Sequence, residues 1–575
     1  MILNTSHRPR LTIAGLIAIV NLTVSALTYA QPVPGTCKEG RATVNLDVNN
    51  VRAQLYNNGN LFWNGGQASG YNVPKAPKGK PIEPNAIFVN DLWVGGMVGG
   101  EVRMAATIYS GGELWPGPLN EAGELPNPDD CTPYDRIYTI YRADIERYNQ
   151  TGETATNLAE WPWQLGAPVL DGDANPDNYD LSAGDRPALV GDQMAWWVMN
   201  DVGNIHQSTR SAPIQMEVRV TAFAFNLPGS LGNTTFYRYQ LIYKGTAPLE
   251  EAWLGFWFDA DLGSDPTDNA GTDTTLRMVY AYKGDNFDEG EGGYGAAPPA
   301  LGFSFMQGPL ASPDGQDNDR DGEIDEPGER LRMTRSQHNT HDNSVTGHAL
   351  TAKDYYNQLR GRWNDGTQMC FGGIGHYSLG LVPCTGVTPF MYPGDPITGA
   401  YWSMVNFDGR GNHSPVHNAG YFLLSTGPFR MEPGEEEEIV LAIVWSRGAD
   451  YLDSIRKLRS DMKVVQTVYP FISTPDSTLS QHPEPERPTV NAYTRNYPNP
   501  FTETTTIHYE LANPALVRLA VYDVLGREVA MLVDEAQEAG FYDVVFDGRD
   551  LPMGVYLYRL QVGTAVASET MVLMR

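Results

Sequence analysis

Short alternations of apolar and polar residues, broken by turn residues, dominate this chain, and helical stripes are rare. Strand-like runs recur at Ile87-Phe88-Val89, Val102 to Ile108, Met216 to Phe225, Thr235 to Tyr243 and Met278 to Tyr282. A period of two marks strands with one face buried, and with 59 Gly and 41 Pro placing turn clusters between the runs, the pattern predicts a large sandwich or pair of sandwiches. One stretch departs from it. From Ala449 to Val468 the apolar residues Leu452, Ile455, Leu458, Met462, Val465 and Val468 keep a three-and-four spacing, which predicts a helix. Asp450 stands near its start and Pro470 just beyond its expected end. Such a helix would close the main region against a sheet. The predicted class is therefore mainly all-β: a sandwich-like main region with one C-terminal helix, followed by a small immunoglobulin-like sandwich.

The last eighty residues carry that second sandwich. Ile507, Tyr509 and Leu511, then Val517, Leu519 and Val521, then Val555, Leu557 and Leu560 alternate with polar neighbours. Turn residues fall between these runs at Asn513-Pro514, Leu525-Gly526, Ala539-Gly540, Asp547-Gly548 and Met553-Gly554. The segment opens on Asn496-Tyr497-Pro498-Asn499-Pro500-Phe501 and closes on Thr570 to Arg575, with Val521 to Val529 and Leu551 to Leu560 between. This combination resembles the type A C-terminal sorting domain of the type IX secretion system. The resemblance implies that residues 495–575 engage that machinery and that the protein is delivered to the outer cell surface or the medium. It implies no chemistry. Blocks at Gly191 to Asp201, Tyr355 to Gly366 and Tyr392 to Pro396 are similar to ones in uncharacterised exported proteins carrying the same tail, which suggests that 31–470 is one recurrent unit.

The N-terminus agrees with export. Arg8 and Arg10 precede the apolar run Leu11 to Leu27, and Thr28-Tyr29-Ala30 offers small residues for cleavage, so residues 1–30 read as a signal peptide cut near Ala30. No later stretch approaches the roughly 20 apolar residues of a spanning helix, so the mature chain is expected to have no transmembrane segment. Residues 471–494, with Pro475, Pro483, Pro485 and Pro488, read as a linker to the tail.

Charge narrows the partners. The net charge is −29, and removing Arg8 and Arg10 leaves 38 basic against 69 acidic residues, or −31. Such a surface disfavours nucleic acid and suits divalent cations. The densest acidic run, Glu435 to Glu438, reads as a solvated turn before a strand. Four cysteines remain after export, Cys37, Cys131, Cys370 and Cys384, which suggests two disulfides; three pairings are open, and the short loop Cys370 to Cys384 is preferred.

The sharpest chemical signal is Asp317-Asn318-Asp319-Arg320-Asp321-Gly322-Glu323-Ile324-Asp325. Oxygen-bearing side chains at alternate positions with a glycine at the sixth suit calcium, which takes six to eight oxygens. Gly328 stands where an EF-hand has its glutamate, so a shorter aspartate-rich loop fits better. Asp317, Asp319, Asp321, Glu323 and Asp325 are the expected ligands of a structural calcium ion. Asp259 and Asp261, with Asp265, Asp268 and Asp273, follow an aromatic strand and could converge on a cation or form a plain loop. Asp171-Gly172-Asp173-Ala174-Asn175 starts like a calcium loop, but Pro176 stands where glycine is wanted, which favours a solvated loop.

His338, His341 and His348 lack the spacing of a zinc helix and lie among loop residues. Ser425 and Ser446 have no nucleophile elbow. Trp196, Trp197, Trp253, Trp257, Trp363 and Trp402 could stack on sugars, but in a sandwich most serve as core. No catalytic residue is assigned. The expected function is that of a structural, adhesive or ligand-binding surface protein with a glycan or protein ligand; the rival is a secreted hydrolase of polysaccharide or peptide.

Overall fold

The computed structural model describes residues 34–574 apart from 64–69, 76–83, 110–111, 265–267, 291, 312–314, 319–323, 325–327, 379–384, 415–420, 476–493, 512–513, 524–526 and 563–564. The expected signal peptide and most of the linker lie outside these residues. Two antiparallel sheets make up most of the main region. The path of the first, ten-stranded sheet runs Arg335–His338, Tyr421–Met431, Leu249–Asp259, Val89–Val98, Asn60–Leu61, Arg52–Tyr56, Tyr71–Asn72, Asn85–Ile87. Thr43–Leu46 and Glu101–Ala105 add at its sides. The second, of nine strands, runs Asp268–Asp273, Met278–Lys283, Ala300–Gln307, Glu436–Ser446, Thr234–Tyr243, Met216–Ala224, Gln193–Asn200, Trp115–Pro116, with Tyr138–Tyr141 beside Gln193–Asn200.

Strand alternation sorts the side chains between the layers. Leu254, Phe256 and Phe258 point into the core between the sheets, where they share one cluster with Tyr237, Tyr239, Leu241, Ile439, Leu441 and Ile443. Their neighbours Trp253 and Trp257 point to the opposite face, where Tyr355, Tyr356 and Leu359 of the helix Ala352–Leu359 cover them. On the second sheet Val440, Ala442 and Val444 face away from the core and meet Ile455, Leu458, Met462 and Val465 of the helix Tyr451–Ile472. The main region is thus layered helix, sheet, sheet, helix. Because both outer faces are covered, strands such as Gln193–Asn200 are buried at every position.

The expected helix is there, and the side chain of Asp450 caps it by accepting from the N–H of Asp453 at 2.7 Å. Its end is a correction. Pro470 lies inside the helix, and the last turn continues to Ile472, whose side chain is buried in the same cluster. The helix Ala352–Leu359 starts on a capping box in which Thr351 and Asp354 exchange side-chain and backbone hydrogen bonds. Further helical segments occur at Arg142–Thr151 and Thr156–Ala159. The acidic run is also corrected: Glu436 begins a strand, and Glu437 is buried, 3.5 Å from Arg330.

Cys37 and Cys131 form a disulfide across 94 positions, packed with Trp115, Leu119, Leu125 and Val202. Cys370 is also disulfide-bonded; Cys384, its preferred partner from sequence, lies outside the described residues.

The tail forms a three-stranded sheet, Thr494–Tyr497, Thr504–Leu511 and Gly540–Asp547. A four-stranded sheet, Glu528–Gln537, Ala515–Asp523, Gly554–Val562 and Ala565–Leu573, faces it across Phe501, Ile507, Val517, Leu519, Tyr558, Leu560 and Met571. Its first and last sequence blocks meet. Phe501 donates its N–H to the carbonyl of Val572 at 2.8 Å and accepts from Met574 at 2.7 Å, while Asn499 Oδ1 accepts from the N–H of Val572 at 2.9 Å. Val572 and Met574 share an apolar cluster with the helix Tyr451–Ile472.

Candidate functional site

At one end of the first sheet, three neighbouring strands bring Val89, Asp259 and Tyr421 side by side in register. Around that point Asp91, Tyr109, Asp259, His341, His348 and Tyr421 are joined through hydrogen bonds and ring contacts. The hydroxyl of Tyr109 lies 2.9 Å from Asp259 Oδ2 and 2.6 Å from the hydroxyl of Tyr421, which in turn lies 2.6 Å from His341 Nδ1. Four titratable side chains thus form one continuous chain, from a half-buried carboxyl to an exposed imidazole.

The chain is held from below. Asp91, fully buried, accepts from the N–H of Tyr109 at 2.9 Å and from the hydroxyl of Thr107 at 3.2 Å. Tyr109 has φ 65°, a left-handed conformation that a bulky aromatic adopts only under local constraint, at a cost on the order of 1–3 kcal/mol. The bond to Asp91 supplies that constraint. Tyr421 stacks on buried Trp257 with ring centroids 5.0 Å apart, and His341 and His348 lie 5.0 Å from one another.

The electrostatics are unusual for a structural core. Neither Asp91 nor Asp259 has a Lys or Arg among the described residues as an ion-pair partner. Burial pushes Asp259 up to about 7, with the nearby Asp261 adding to it and the Tyr109 hydroxyl opposing. Complete burial also holds Asp91 well above the usual carboxylate range. Burial also lowers His348, assisted by His341. Buried carboxyls without cations are disfavoured unless something other than stability retains them.

The acidic cluster expected after the aromatic strand divides in two. Asp259 belongs to the hydroxyl chain. Asp268 and Asp288 instead surround the buried ammonium of Lys283, at 3.1 and 3.5 Å, while burial raises the carboxyl of Asp261 against the opposing charge of that ammonium. Asp273 pairs with Arg459 at 3.1 Å, and Asp265 lies outside the described residues. Lys283 and Arg459 supply positive charge where a metal ion was one option.

The three histidines also separate. His338 is buried against Tyr392, and burial lowers it to about 4, so it is neutral; His341 and His348 join the site. Trp196, Trp197, Trp253, Trp257, Trp363 and Trp402 are all buried, as expected of core. Only Trp63 and Trp163 of the twelve tryptophans are partly exposed. Trp63 flanks the site, 6.0 Å from the ring of Tyr109 and 6.3 Å from Phe88. Sequence reasoning missed Trp63, Tyr109 and Tyr421, because nothing local marks them.

Of the calcium-loop residues, Asp317 is described; Asp319, Asp321, Glu323 and Asp325 lie outside the described residues. At the loop expected to be solvated, Asp171 and Asp173 are exposed. Asp171, Asp173 and the buried Asp185 bring carboxylate oxygens within 4.8 Å of one another, a grouping that could hold a metal ion. Gly172 permits it: a Cβ there would lie 2.4 Å from the Gly184 backbone, so only glycine lets the two loop segments approach.

Asp365, His376 and Ser378 resemble a hydrolase triad, with Ser378 Oγ 3.3 Å from His376 Nδ1 and Nε2 3.2 Å from Asp365 Oδ2. The N–H of Ser378 donates to the same Nδ1 at 3.2 Å. That nitrogen has one lone pair, already engaged, so the contact is a two-residue turn. Ser425 and Ser446 are buried and donate to the carbonyl of Leu359 and to Asp461.

Among the described residues no helix is long and apolar enough to cross a membrane. No curated protein matches the chain. A solved structure titled as a polysaccharide lyase is similar over 95% of this chain at 8% identity and a TM-score of 0.22. This chain spans 47% of that structure's length. Residues 495–574 match the family model described as a secretion system C-terminal sorting domain, so the chain carries a type IX secretion sorting domain over those residues, and that tail implies a place on the cell surface or in the medium.

Proposed function

We propose that the chain comprises a signal peptide over 1–30, a ligand-binding main region over 31–470, a linker over 471–494 and the sorting domain over 495–575. In this reading the main region works outside the cell without catalysis and is stabilised by calcium at the loop beginning with Asp317. One observation carries the ligand-binding assignment: a cluster of hydroxyl, carboxyl and imidazole groups with partly exposed rings at the end of a sheet, built at the cost of a strained Tyr109 and two carboxyls with no cation partner among the described residues. A region serving only as a spacer gains nothing from that arrangement.

The second reading, a secreted hydrolase, draws on Asp259 alone. A carboxyl pushed up to about 7 keeps its proton on about half of the molecules at neutral pH, and a general acid requires that protonated form. One experiment separates the two. Residues 31–470 are screened against soluble glycans and proteins, with products analysed in the same wells. Binding without products supports the first reading; turnover replaces it with the second.

A further inference from the structure

We propose that the Tyr109 cluster binds a neutral sugar residue, with Trp63 as its stacking wall and the Asp259–Tyr109–Tyr421–His341 chain as its hydrogen-bonding wall. The proposal rests on the ligand-binding reading above and names the ligand class for that site.

The stacking wall follows from exposure. With ten of the twelve tryptophans buried, the ring left partly open beside the hydroxyl chain is that of Trp63, which packs edgewise on Tyr109 at 6.0 Å and tilts against Phe88 at 6.3 Å. A partly exposed ring held by two others can stack on a ligand at little entropic cost.

The polar wall follows from counting protons. Three contacts link the four groups, and each contact needs one hydrogen. The two tyrosines supply two. The third sits either on the Asp259 carboxyl or on His341 Nδ1. With the proton on Asp259, every bond in the chain points toward His341, whose Nε2 then carries the hydrogen and can donate. With it on Nδ1, every bond points toward the Asp259 carboxylate, and Nε2 becomes an acceptor. The two arrangements differ by one proton, so the exposed end can donate or accept as the occupant requires. Sugar hydroxyls do both, and an aromatic face beside groups of this kind is complementary to a pyranose ring.

Charge selects neutral sugars over acidic ones. Asp259 faces Asp91 and Asp261, His341 and His348 lie close to Asp342, and the chain as a whole carries −29. A uronate or sulfated glycan would bring a further negative charge to a site with no described cation of its own.

The test is isothermal titration of the exported protein with xylan, laminarin, glucomannan, alginate and pectin, together with a panel of soluble proteins. Trp63→Ala and Tyr421→Phe are compared with the native chain, and Trp163→Ala serves as the control for an open tryptophan outside the cluster. The expected result is binding to at least one of the three neutral glycans, weakened about tenfold or more by Trp63→Ala and measurably by Tyr421→Phe, and unchanged in the control. Thermal melting reports whether each variant is folded; if either is not, His341→Ala, at an exposed position, takes its place. Glycan binding with equal affinity in all variants, or confined to alginate and pectin, overturns the proposal while leaving a ligand-binding protein. Binding to proteins alone has the same consequence. Binding to neither panel overturns this proposal and the ligand-binding reading together.

Discussion

His206 places its Nδ1 3.0 Å from Oε2 of Glu113, and both side chains are shielded from water. Burial alone would lower the imidazole, but the hydrogen bond and charge of Glu113, with Asp201 behind it, raise it to about 9. Nε2 donates to the carbonyl of Asp201 at 2.7 Å, so both ring nitrogens are engaged as an imidazolium requires.

A pH dependence follows. The folded pKa exceeds the unfolded value of about 6.5, so this group's contribution to stability is fully present below about pH 6.5 and is lost as pH rises through about 9. Melting temperature should therefore fall between pH 7 and 10, and His206→Gln should flatten that fall. At pH 7 the same variant leaves Glu113 buried without its charged partner and should lose about 3–5 kcal/mol. Melting curves that superimpose for the two proteins above and below pH 8 would remove His206 from the account.

Asp259 behaves in the same sense for a different reason. Its folded pKa of about 7 lies above the unfolded value of about 3.9, so its contribution is fully present below about pH 4 and is lost as the carboxyl ionises near neutrality. Above pH 7 the carboxylate opposes folding, with an upper bound on the order of 4 kcal/mol. Asp259→Asn keeps the shape and a hydrogen-bonding partner for Tyr109 but cannot ionise. It should melt higher than the native chain at pH 8 and close to it at pH 4.5. A variant less stable at both pH values would show that the carboxylate is needed for folding.

These groups also show where sequence reading stops. The helix Tyr451–Ile472 was legible because Leu458, Met462 and Val465 repeat on one face and Asp450 caps it. The mostly β class was legible from alternation, and the tail from its motif blocks. The layered order of the main region was not. With helices on both outer faces, strands such as Gln193–Asn200 are buried throughout and lose the polar face that would have oriented them. The eight-residue helix Ala352–Leu359 is too short for periodicity, although Thr351 and Asp354 formed a readable cap. The candidate site depends on pairs such as Tyr109 and Tyr421, 312 positions apart, which no local pattern connects.

The Cys37–Cys131 bridge makes a strong stability prediction because it closes a long loop. Its 94-residue separation removes more unfolded-chain freedom than a local loop can, and losing a native bridge typically costs about 2–5 kcal/mol. Cys37→Ser should lower the melting temperature clearly, and thiol labelling of the native exported protein should find no reactive cysteine. Full labelling of the folded, unreduced protein would contradict both.

Calcium offers the clearest choice between two loops. Asp317 opens the aspartate-rich segment favoured by sequence, while the structure gathers Asp171, Asp173 and Asp185 at a loop where Pro176 argued for plain solvation. Crowded carboxylates repel one another until a cation neutralises them, and an ion that binds only the folded state stabilises it by RT ln(1 + [L]/Kd), about 2.7 kcal/mol at a hundredfold excess. The protein should therefore melt higher in millimolar calcium than in chelator, and magnesium, which demands tighter octahedral geometry, should do less. If the Asp317 loop dominates, Asp319→Ala abolishes most of the difference and Asp173→Ala leaves it intact. The reverse pattern transfers the site to the second loop, and equal losses mean that each holds an ion. A melting temperature indifferent to calcium would leave both as solvated turns.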